Sequence, residues 1–253
     1  MNKRSVLISV LLGAAGLTGA AVLNEWNFYS DPAGRTLSQA LNSKGAAVFA
    51  AGGAGFLETD GRGALIGTHE DAGSSGMWTN GAVVNAPLGT TASEQTQYLR
   101  FDFSYDLSST NNNSGTVLGF AFYDSTGGQV AGVALQYDTG SGAAPAYTAT
   151  ELTTLTNTAG TVAVIARIDL VSQTLDVWYS LTGDVSGFSE GSAHYSTAVT
   201  LETFDSLRFH ATGDMRPTGS DDQVTIDLLR TADSWADILS AEPEVPAGKY
   251  RNE

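Results

Sequence analysis

Apolar and polar residues alternate along much of the chain, which is the pattern of half-buried β-strands. The clearest case is the segment 97–106, in which Leu99, Phe101, Phe103 and Tyr105 fall on one face and mostly polar residues on the other. This pattern predicts a sheet with one face in the core and the other in solvent. The remaining segments predicted as strands are 23–29, 55–59, 64–69, 77–84, 116–124, 129–138, 160–171, 174–181, 206–212 and 223–230.

Short turn signals separate these segments, and helical patterns are sparse. Residues 125–128 indicate a tight hairpin, and Ser172 and Gln173 predict a two-residue turn. Short helices are expected at 35–42 and 231–239. Antiparallel strands with short turns, and without the spacing of β-α-β units, predict one β-sandwich domain of about ten to thirteen strands.

The N-terminal segment has the features of an export signal. Lys3 and Arg4 form a basic start, and residues 5–23 are then uncharged and rich in Leu, Val, Ala and Gly. Small residues allow cleavage after Ala20 or Ala21. The alternative is a retained membrane anchor, because about 19 apolar residues can just span a bilayer.

These features predict three parts of the chain. We expect a signal peptide at 1–21, a single β-sandwich at 22–240 and a polar C-terminal tail at 241–253. The protein is therefore predicted to be secreted or held at the cell surface, with no membrane association once the signal is cleaved.

Composition and charge narrow the possible partners. The 253 residues include 12 Lys+Arg and 27 Asp+Glu, which gives a formal net charge of -15. Nucleic acid and anionic membranes are not expected as partners, since both require basic clusters. The absence of cysteine excludes disulfides, a thiol nucleophile and cysteine-ligated metals.

Three segments carry a resemblance to a known family. Residues 25–42, 168–178 and 226–238 resemble the opening segment, a hairpin ending in tryptophan and the closing segment of concanavalin A-like jelly-roll modules in secreted and surface bacterial proteins. The resemblance implies an all-β, antiparallel jelly-roll sandwich with short peripheral helices, whose first and last strands lie side by side. The family includes lectins, carbohydrate-binding modules, polysaccharide hydrolases and lyases, and structural domains, so fold leaves function open.

Aromatic side chains are candidates for stacking on sugar rings, although aromatics in strands often only pack within the fold. Trp26 and Trp235 are expected to pack in this way. Trp78 lies in a polar stretch and is the strongest stacking candidate. The complete carbohydrate-binding set is Trp78, Tyr98, Tyr123 and Trp178.

A second set of residues has the chemistry of a polysaccharide lyase. Such an enzyme neutralises a uronate carboxylate and moves a proton with His or Tyr. The candidates are Arg100, Gln136, Tyr123 and His210, on the condition that their strands are neighbours. The alternative is that Arg100 only forms an ion pair with Asp102 on a solvated sheet face.

The resemblance also implies a metal site. In related jelly rolls a structural calcium often lies between the first and last strands, and here it would involve Glu25, Asn27 and Asp227. No cofactor is required by any of these hypotheses, and structural Ca2+ is the one candidate ion.

The first functional hypothesis is a secreted, non-catalytic β-sandwich that binds extracellular carbohydrate or mediates surface adhesion. The alternatives are a polysaccharide lyase acting on uronate glycans, or a structural subunit of an extracellular matrix or filament. The expected partners are therefore a polysaccharide or glycan and, for the last hypothesis, copies of the protein itself.

Overall fold

The fold is known from a computed structural model, which describes thirteen stretches of the chain. These are 22–26, 35–36, 50–52, 58–59, 64–68, 83–87, 96–106, 116–123, 129–137, 150–157, 159–200, 206–212 and 223–240. The predicted signal peptide and C-terminal tail lie outside the described residues. No helix in the described part of the chain has the length and hydropathy to cross a membrane.

Strands dominate the described residues. They are β1 (Val22–Trp26), β2 (Arg35–Thr36), β3 (Ala50–Gly52), β4 (Glu58–Thr59), β5 (Ala64–Thr68), β6 (Val83–Pro87), β7 (Thr96–Asp106), β8 (Thr116–Tyr123), β9 (Gln129–Tyr137), β10 (Thr150–Leu155), β11 (Ala159–Asp169), β12 (Thr174–Ser180), β13 (Tyr195–Ala198), β14 (Ser206–Thr212) and β15 (Gln223–Ala232), followed by the helix α1 (Trp235–Ile238).

The strands form two sheets. One has nine strands in the order β13-β12-β11-β7-β15-β5-β4-β2, with β1 also paired to β15. The other has six strands in the order β10-β9-β8-β14-β6-β3. All described pairs are antiparallel except β9 with β10. The predicted antiparallel jelly-roll sandwich is confirmed.

Aromatic side chains join the two sheets in the core. Phe101 of β7 and Phe120 of β8 meet edge to face with ring centroids 4.8 Å apart. Leu99 and Phe103 are buried beside Phe101, as the alternation in this segment predicts. Burial of a side chain of this size contributes about 1.5–3 kcal/mol.

The first and last strands lie side by side, as the resemblance implied. Antiparallel pairing places Glu25 opposite Arg230 and Trp26 opposite Leu229. The pairing of β1 with β15 therefore joins the first and last strands of the sandwich. The hairpin ending in Trp178 is also present, formed by β11 and β12.

Part of the outer face of the nine-stranded sheet, around Ile165 and Trp178, is covered rather than solvated. Residues 181–194, between β12 and β13, lie over it together with α1, and we call these two segments the outer layer. Ser234 caps α1 by accepting the N–H of Asp237 at 3.1 Å. The apolar side chains in this second, smaller core are Tyr98, Ile165, Trp178, Ala232 and Ile238, packed against Val185, Phe188, Ala193, Trp235 and Leu239.

Several sequence-based predictions are wrong in detail. Of the helix expected at 35–42, Arg35 and Thr36 instead form a strand paired with β4 at the end of the sheet, and residues 37–42 lie outside the described residues. Of the strand expected at 77–84, residues 83 and 84 lie in β6, and residues 77–82 lie outside the described residues. The turn after β11 is longer than predicted, since Asp169 pairs with Thr174 and leaves residues 170–173 as the connection.

Candidate functional site

Four polar residues stand in one row across the outer face of the nine-stranded sheet. Tyr98 lies opposite Arg167, Arg167 opposite Asp176 and Asp176 opposite Ser196. Residues directly opposite each other on neighbouring strands share a face, and their Cβ atoms are about 4.5–5.5 Å apart. The sheet register therefore brings together residues that are distant in sequence.

Arg167 is held between two carboxylates. Its Nη2 and Nε atoms donate to Oδ2 of Asp176 at 2.6 and 3.0 Å, and its Nη1 lies 3.6 Å from Oε1 of Glu190. The guanidinium also stands 5.8 Å from the centroid of the Trp178 ring, in cation–π contact. These contacts fix the orientation of the only cation in the row.

Glu190 reaches the row from the outer layer. Its Oε1 accepts a short hydrogen bond from the Tyr98 hydroxyl. Burial raises the pKa of Tyr98 to about 12, and the bond to Glu190 adds to the effect. Burial acts to lower the pKa of Arg167, but the contacts with Asp176 and Tyr98 outweigh it and raise that pKa above its ordinary value. Tyr98 is consequently a neutral donor, and Arg167 is a cation.

Hydrogen bonds to β12 anchor the segment that carries Glu190. Trp178 Nε1 donates to the Ser189 carbonyl at 2.9 Å, next to Glu190 in the chain. The N–H of His194 donates to the Val177 carbonyl at 2.9 Å. The segment is therefore tied to the sheet close to Glu190 and again where β13 begins.

These residues border an open groove of about 500 Å³, which we call the outer groove. Asp176 is only 7% exposed, whereas Glu190 is 46% exposed. The groove thus has a rigid charged floor and one more accessible carboxylate. Its lining residues are Arg167, Asp176, Glu190, Gly191, Ala193 and Ser196.

Each carboxylate of the groove keeps one oxygen for a ligand. Among the contacts of the described residues, Asp176 uses only Oδ2 and Glu190 uses only Oε1. Their second oxygens, Oδ1 and Oε2, are acceptors without a protein donor in that part of the chain. The groove can therefore accept hydrogen bonds from a ligand on both sides of Arg167.

Two of the predicted stacking residues, Tyr98 and Trp178, are buried. Trp178 has no exposed surface, and Trp235 packs against it with centroids 4.7 Å apart. Its role as a stacking residue is corrected, because a ring covered by the outer layer offers no face to a sugar. Tyr98 is likewise buried. Trp78 lies outside the described residues, and Tyr123 is the last residue of β8 in the other sheet.

The predicted lyase residues are divided between the sheets. Arg100 lies on β7 of the nine-stranded sheet, where it donates to Asp102 at 2.5 Å, and both side chains are buried. This is the ion pair of the alternative interpretation, but it is buried rather than solvated. The other three candidates, Gln136, Tyr123 and His210, lie on β9, β8 and β14 of the six-stranded sheet.

Two of the predicted calcium ligands, Glu25 and Asp227, already bond to other side chains. Glu25 forms a buried ion pair with Arg230, so a cation already faces its carboxylate. Asp227 lies three residues from Arg230, roughly 10 Å along the strand, and accepts from Ser104 at 2.6 Å. Asn27 lies outside the described residues. Within those residues, no cluster of three His, Cys, Asp or Glu side chains could hold a metal ion.

No known protein family matches the chain, and no curated protein matches it in sequence. Solved structures similar to it include the winged bean acidic lectin complexed with methyl-α-D-galactose, at 11% identity over 83% of this chain and 98% of the lectin, with a TM-score of 0.46. The Ca2+/Man2-bound exoplasmic/lumenal domain of VIP36 is 8% identical over 82% of this chain and 88% of that domain, with a TM-score of 0.44. Trypanosoma rangeli sialidase is 11% identical over 86% of this chain, with a TM-score of 0.42, and the chain spans only 32% of its length. These likenesses concern the fold alone.

Proposed function

We propose that the protein is a secreted, non-catalytic β-sandwich that binds extracellular carbohydrate through the outer groove and thereby mediates surface adhesion. The observation that carries the proposal is the convergence of Arg167, Asp176, Glu190 and Ser196 on one open groove. A binding site of this kind combines a concave surface with a few convergent polar groups.

The chemistry of the groove suits sugar hydroxyl groups, which both donate and accept hydrogen bonds. Carboxylates accept strongly and guanidinium donates strongly, and bonds with charged partners are about twice as strong as neutral ones. Asp176 and Arg167 hold each other in place before a ligand arrives. Preorganisation of this kind reduces the entropy lost on binding.

Small residues leave room for a sugar ring. Gly191 and Ala193 line the groove between the polar groups. Gly191 has open space where a Cβ would stand, so a ligand can approach the backbone there. The Ala193 methyl group offers apolar contact to the C–H bonds of a pyranose ring. Hydrogen bonding, rather than aromatic stacking, is therefore proposed as the main source of affinity at this site.

The proposal that the outer groove is non-catalytic rests on the state of Tyr98 and Arg167. A tyrosine base for β-elimination must lose its proton, but the pKa of Tyr98 is raised to about 12 by burial. Its hydroxyl is also already bonded to Glu190. Arg167 is already bonded to Asp176 and lies beside Glu190, so its charge is balanced by carboxylates of the protein.

The test is glycan binding by the chain from Val22 onward, with a matched pair of variants. Ser196→Tyr fills the groove from its edge, and Ser186→Tyr places the same bulk on an exposed part of the outer layer. We expect co-sedimentation or calorimetric binding with at least one polysaccharide, lost in Ser196→Tyr and kept in Ser186→Tyr. Equal binding by both variants would remove the groove from the proposal. Release of an unsaturated product from a uronate polymer, followed by ultraviolet absorbance, would show an enzyme instead.

Secretion needs its own measurement. We expect export to leave a mature chain that begins after Ala20 or Ala21. Mass spectrometry of the exported protein gives the new N-terminus. A chain that remains in the membrane with its first 21 residues would support the anchor instead.

A further inference from the structure

We propose that the outer groove selects uncharged sugars carrying two adjacent hydroxyl groups and discriminates against uronates. This inference rests on the proposed function, because it assigns the class of glycan that the same groove takes. The inference depends on the number of charged side chains at the groove and on which atoms of those side chains are already hydrogen-bonded.

The groove carries more negative than positive charge. Asp176 and Glu190 contribute two carboxylates, and Arg167 contributes one guanidinium. The hydroxyl of Tyr98 stays neutral beside them. A ligand carboxylate would therefore be the third negative group around one cation, within a protein whose formal net charge is -15. Like charges at close quarters oppose binding.

Arg167 is also a poor partner for a ligand carboxylate. A guanidinium recognises a carboxylate best through two parallel N–H bonds. In this site, Nε and Nη2 both point to Oδ2 of Asp176. Nη1 lies 3.6 Å from Oε1 of Glu190, so both ends of the guanidinium already face a carboxylate of the protein. The N–H groups that remain on Nη1 and Nη2 can each donate to a hydroxyl oxygen, whereas a ligand carboxylate would compete with Asp176 and Glu190 for the same cation.

Two adjacent hydroxyls match the atoms that remain. Oδ1 of Asp176 and Oε2 of Glu190 are the acceptors left on either side of Arg167, by the contacts of the described residues. One hydroxyl can donate to each carboxylate, and one of them can also accept from Nη1 of Arg167. A carboxylate ligand has no proton to donate to either oxygen. Buried or half-buried acceptors left without donors weaken binding.

The experiment compares each uronate polymer with its own carboxyl-reduced form, so that the two ligands differ in charge. Polygalacturonate, alginate and glucuronan are used with their reduced forms, together with neutral galactan, mannan and glucan. We expect the groove to bind a neutral form at least about tenfold more tightly than its uronate parent, a difference of about 1.4 kcal/mol. The discrimination should shrink as salt is added, because screening weakens charge repulsion.

Two variants identify the charge responsible. Glu190→Gln removes one negative charge from the groove but keeps an acceptor for the Tyr98 hydroxyl. Asp184→Asn removes one negative charge from an exposed position in the same segment, outside the groove lining. We expect the neutral-to-uronate ratio to fall severalfold in Glu190→Gln and to stay unchanged in Asp184→Asn.

The results separate this inference from the proposed function. Uronates that bind as tightly as their reduced forms, with binding lost in Ser196→Tyr, would overturn the selectivity and leave the groove as the site. A ratio unchanged in Glu190→Gln would also overturn it. The proposed function itself would be overturned if Ser196→Tyr still bound neutral glycans, or if the protein bound none of the polymers.

Discussion

The carboxylate of Glu25 and the guanidinium of Arg230 form a buried ion pair that joins the first strand to the last. Nε and Nη2 of Arg230 both lie 2.7 Å from Oε2 of Glu25. The two residues are 2% and 1% exposed. Nη1 of Arg230 also donates to the Ser240 carbonyl at 2.6 Å. One side chain therefore connects both ends of the sandwich and the residues that follow α1.

We expect Glu25→Gln to lower the free energy of unfolding by about 3–5 kcal/mol, because it leaves a buried guanidinium without its charge partner. Urea denaturation followed by tryptophan fluorescence measures the change. The double variant Glu25→Leu/Arg230→Met should lose less than the sum of its single variants. Strict additivity would contradict a direct coupling between the two charges.

Tyr98 makes stability fall in alkali. Its folded pKa is about 12 against an ordinary value of 10.0, so the folded protein holds this proton more tightly than the unfolded chain. The contribution of Tyr98 is therefore complete below pH 10.0 and is lost as the pH rises toward about 12. Denaturation experiments across this pH range should show a smaller decline in the free energy of unfolding for Tyr98→Phe than for the unmodified protein. Spectrophotometric titration of that variant should also lack one late-ionising tyrosine.

Asp169 makes the turn after β11 sensitive to acid. Its Oδ1 accepts the N–H of Ser172 at 3.0 Å and that of Val171 at 2.8 Å. The bond from Ser172 is the main reason that the pKa of Asp169 lies below its ordinary value of 3.8. Its stabilising effect is thus present above pH 3.8 and is lost as the pH falls below it. In denaturation experiments, Asp169→Ala should lower the free energy of unfolding by about 1 kcal/mol near neutral pH. The loss should be smaller below pH 3.8.

The control for this turn is Asp169→Asn. Its amide oxygen can still accept from Ser172 but does not titrate near pH 3.8. The acid-dependent part of the stability should then disappear while most of the neutral stability remains. An unchanged acid profile would exclude Asp169 as its source.

The alternation of residues in β7 predicted one face of the sheet and misjudged the other. Leu99 and Phe101 point into the core as expected, but Arg100 and Asp102, expected in solvent, are buried. The outer layer packs on other residues of the same face, such as Ile165 and Trp178, and no periodic pattern in residues 181–194 predicts this role. Its apolar contacts come from irregularly spaced side chains in a segment rich in Gly and Ser. A loop that packs by a few anchors carries little periodic signal.

The sequence does not predict the outer groove, because the predicted turn gives the β11–β12 hairpin a different register from the observed one. A turn at residues 172–173 would place Arg167 opposite Trp178, whereas the longer connection at 170–173 places it opposite Asp176. Turn length sets register, so an error of two residues replaces every cross-strand partner. The contact of Tyr98 with Glu190 spans 92 positions, and nothing in the local sequence of either residue indicates it. The pairing of Arg167 with Asp176 follows from the sequence only when the turn is given its correct length.

Two glycines of the outer layer, Gly183 and Gly187, differ in backbone conformation and in the atoms around them. Gly183 has φ 75°, and a Cβ there would lie 3.0 Å from Cγ2 of Thr161. Gly187 has no atom within 4 Å of such a Cβ and does not adopt the left-handed region. We expect Gly183→Ala to lower the free energy of unfolding by about 1–2 kcal/mol, since a left-handed residue with a Cβ is strained. Gly187→Ala should be neutral or stabilising by up to about 1 kcal/mol, because it restricts the unfolded chain.

The same pair of variants tests whether the outer layer supports the groove. Glu190 and Gly183 lie in the same segment, residues 181–194. The position of Glu190 depends on that segment remaining packed on the sheet. Gly183→Ala should therefore weaken glycan binding through the groove, and Thr161→Ser should restore part of the loss by removing the methyl group that the new Cβ meets. Hydrogen exchange of the Glu190 and Gly191 amides measures the loosening directly. Faster exchange in Gly187→Ala than in Gly183→Ala would contradict the assignment of strain to Gly183.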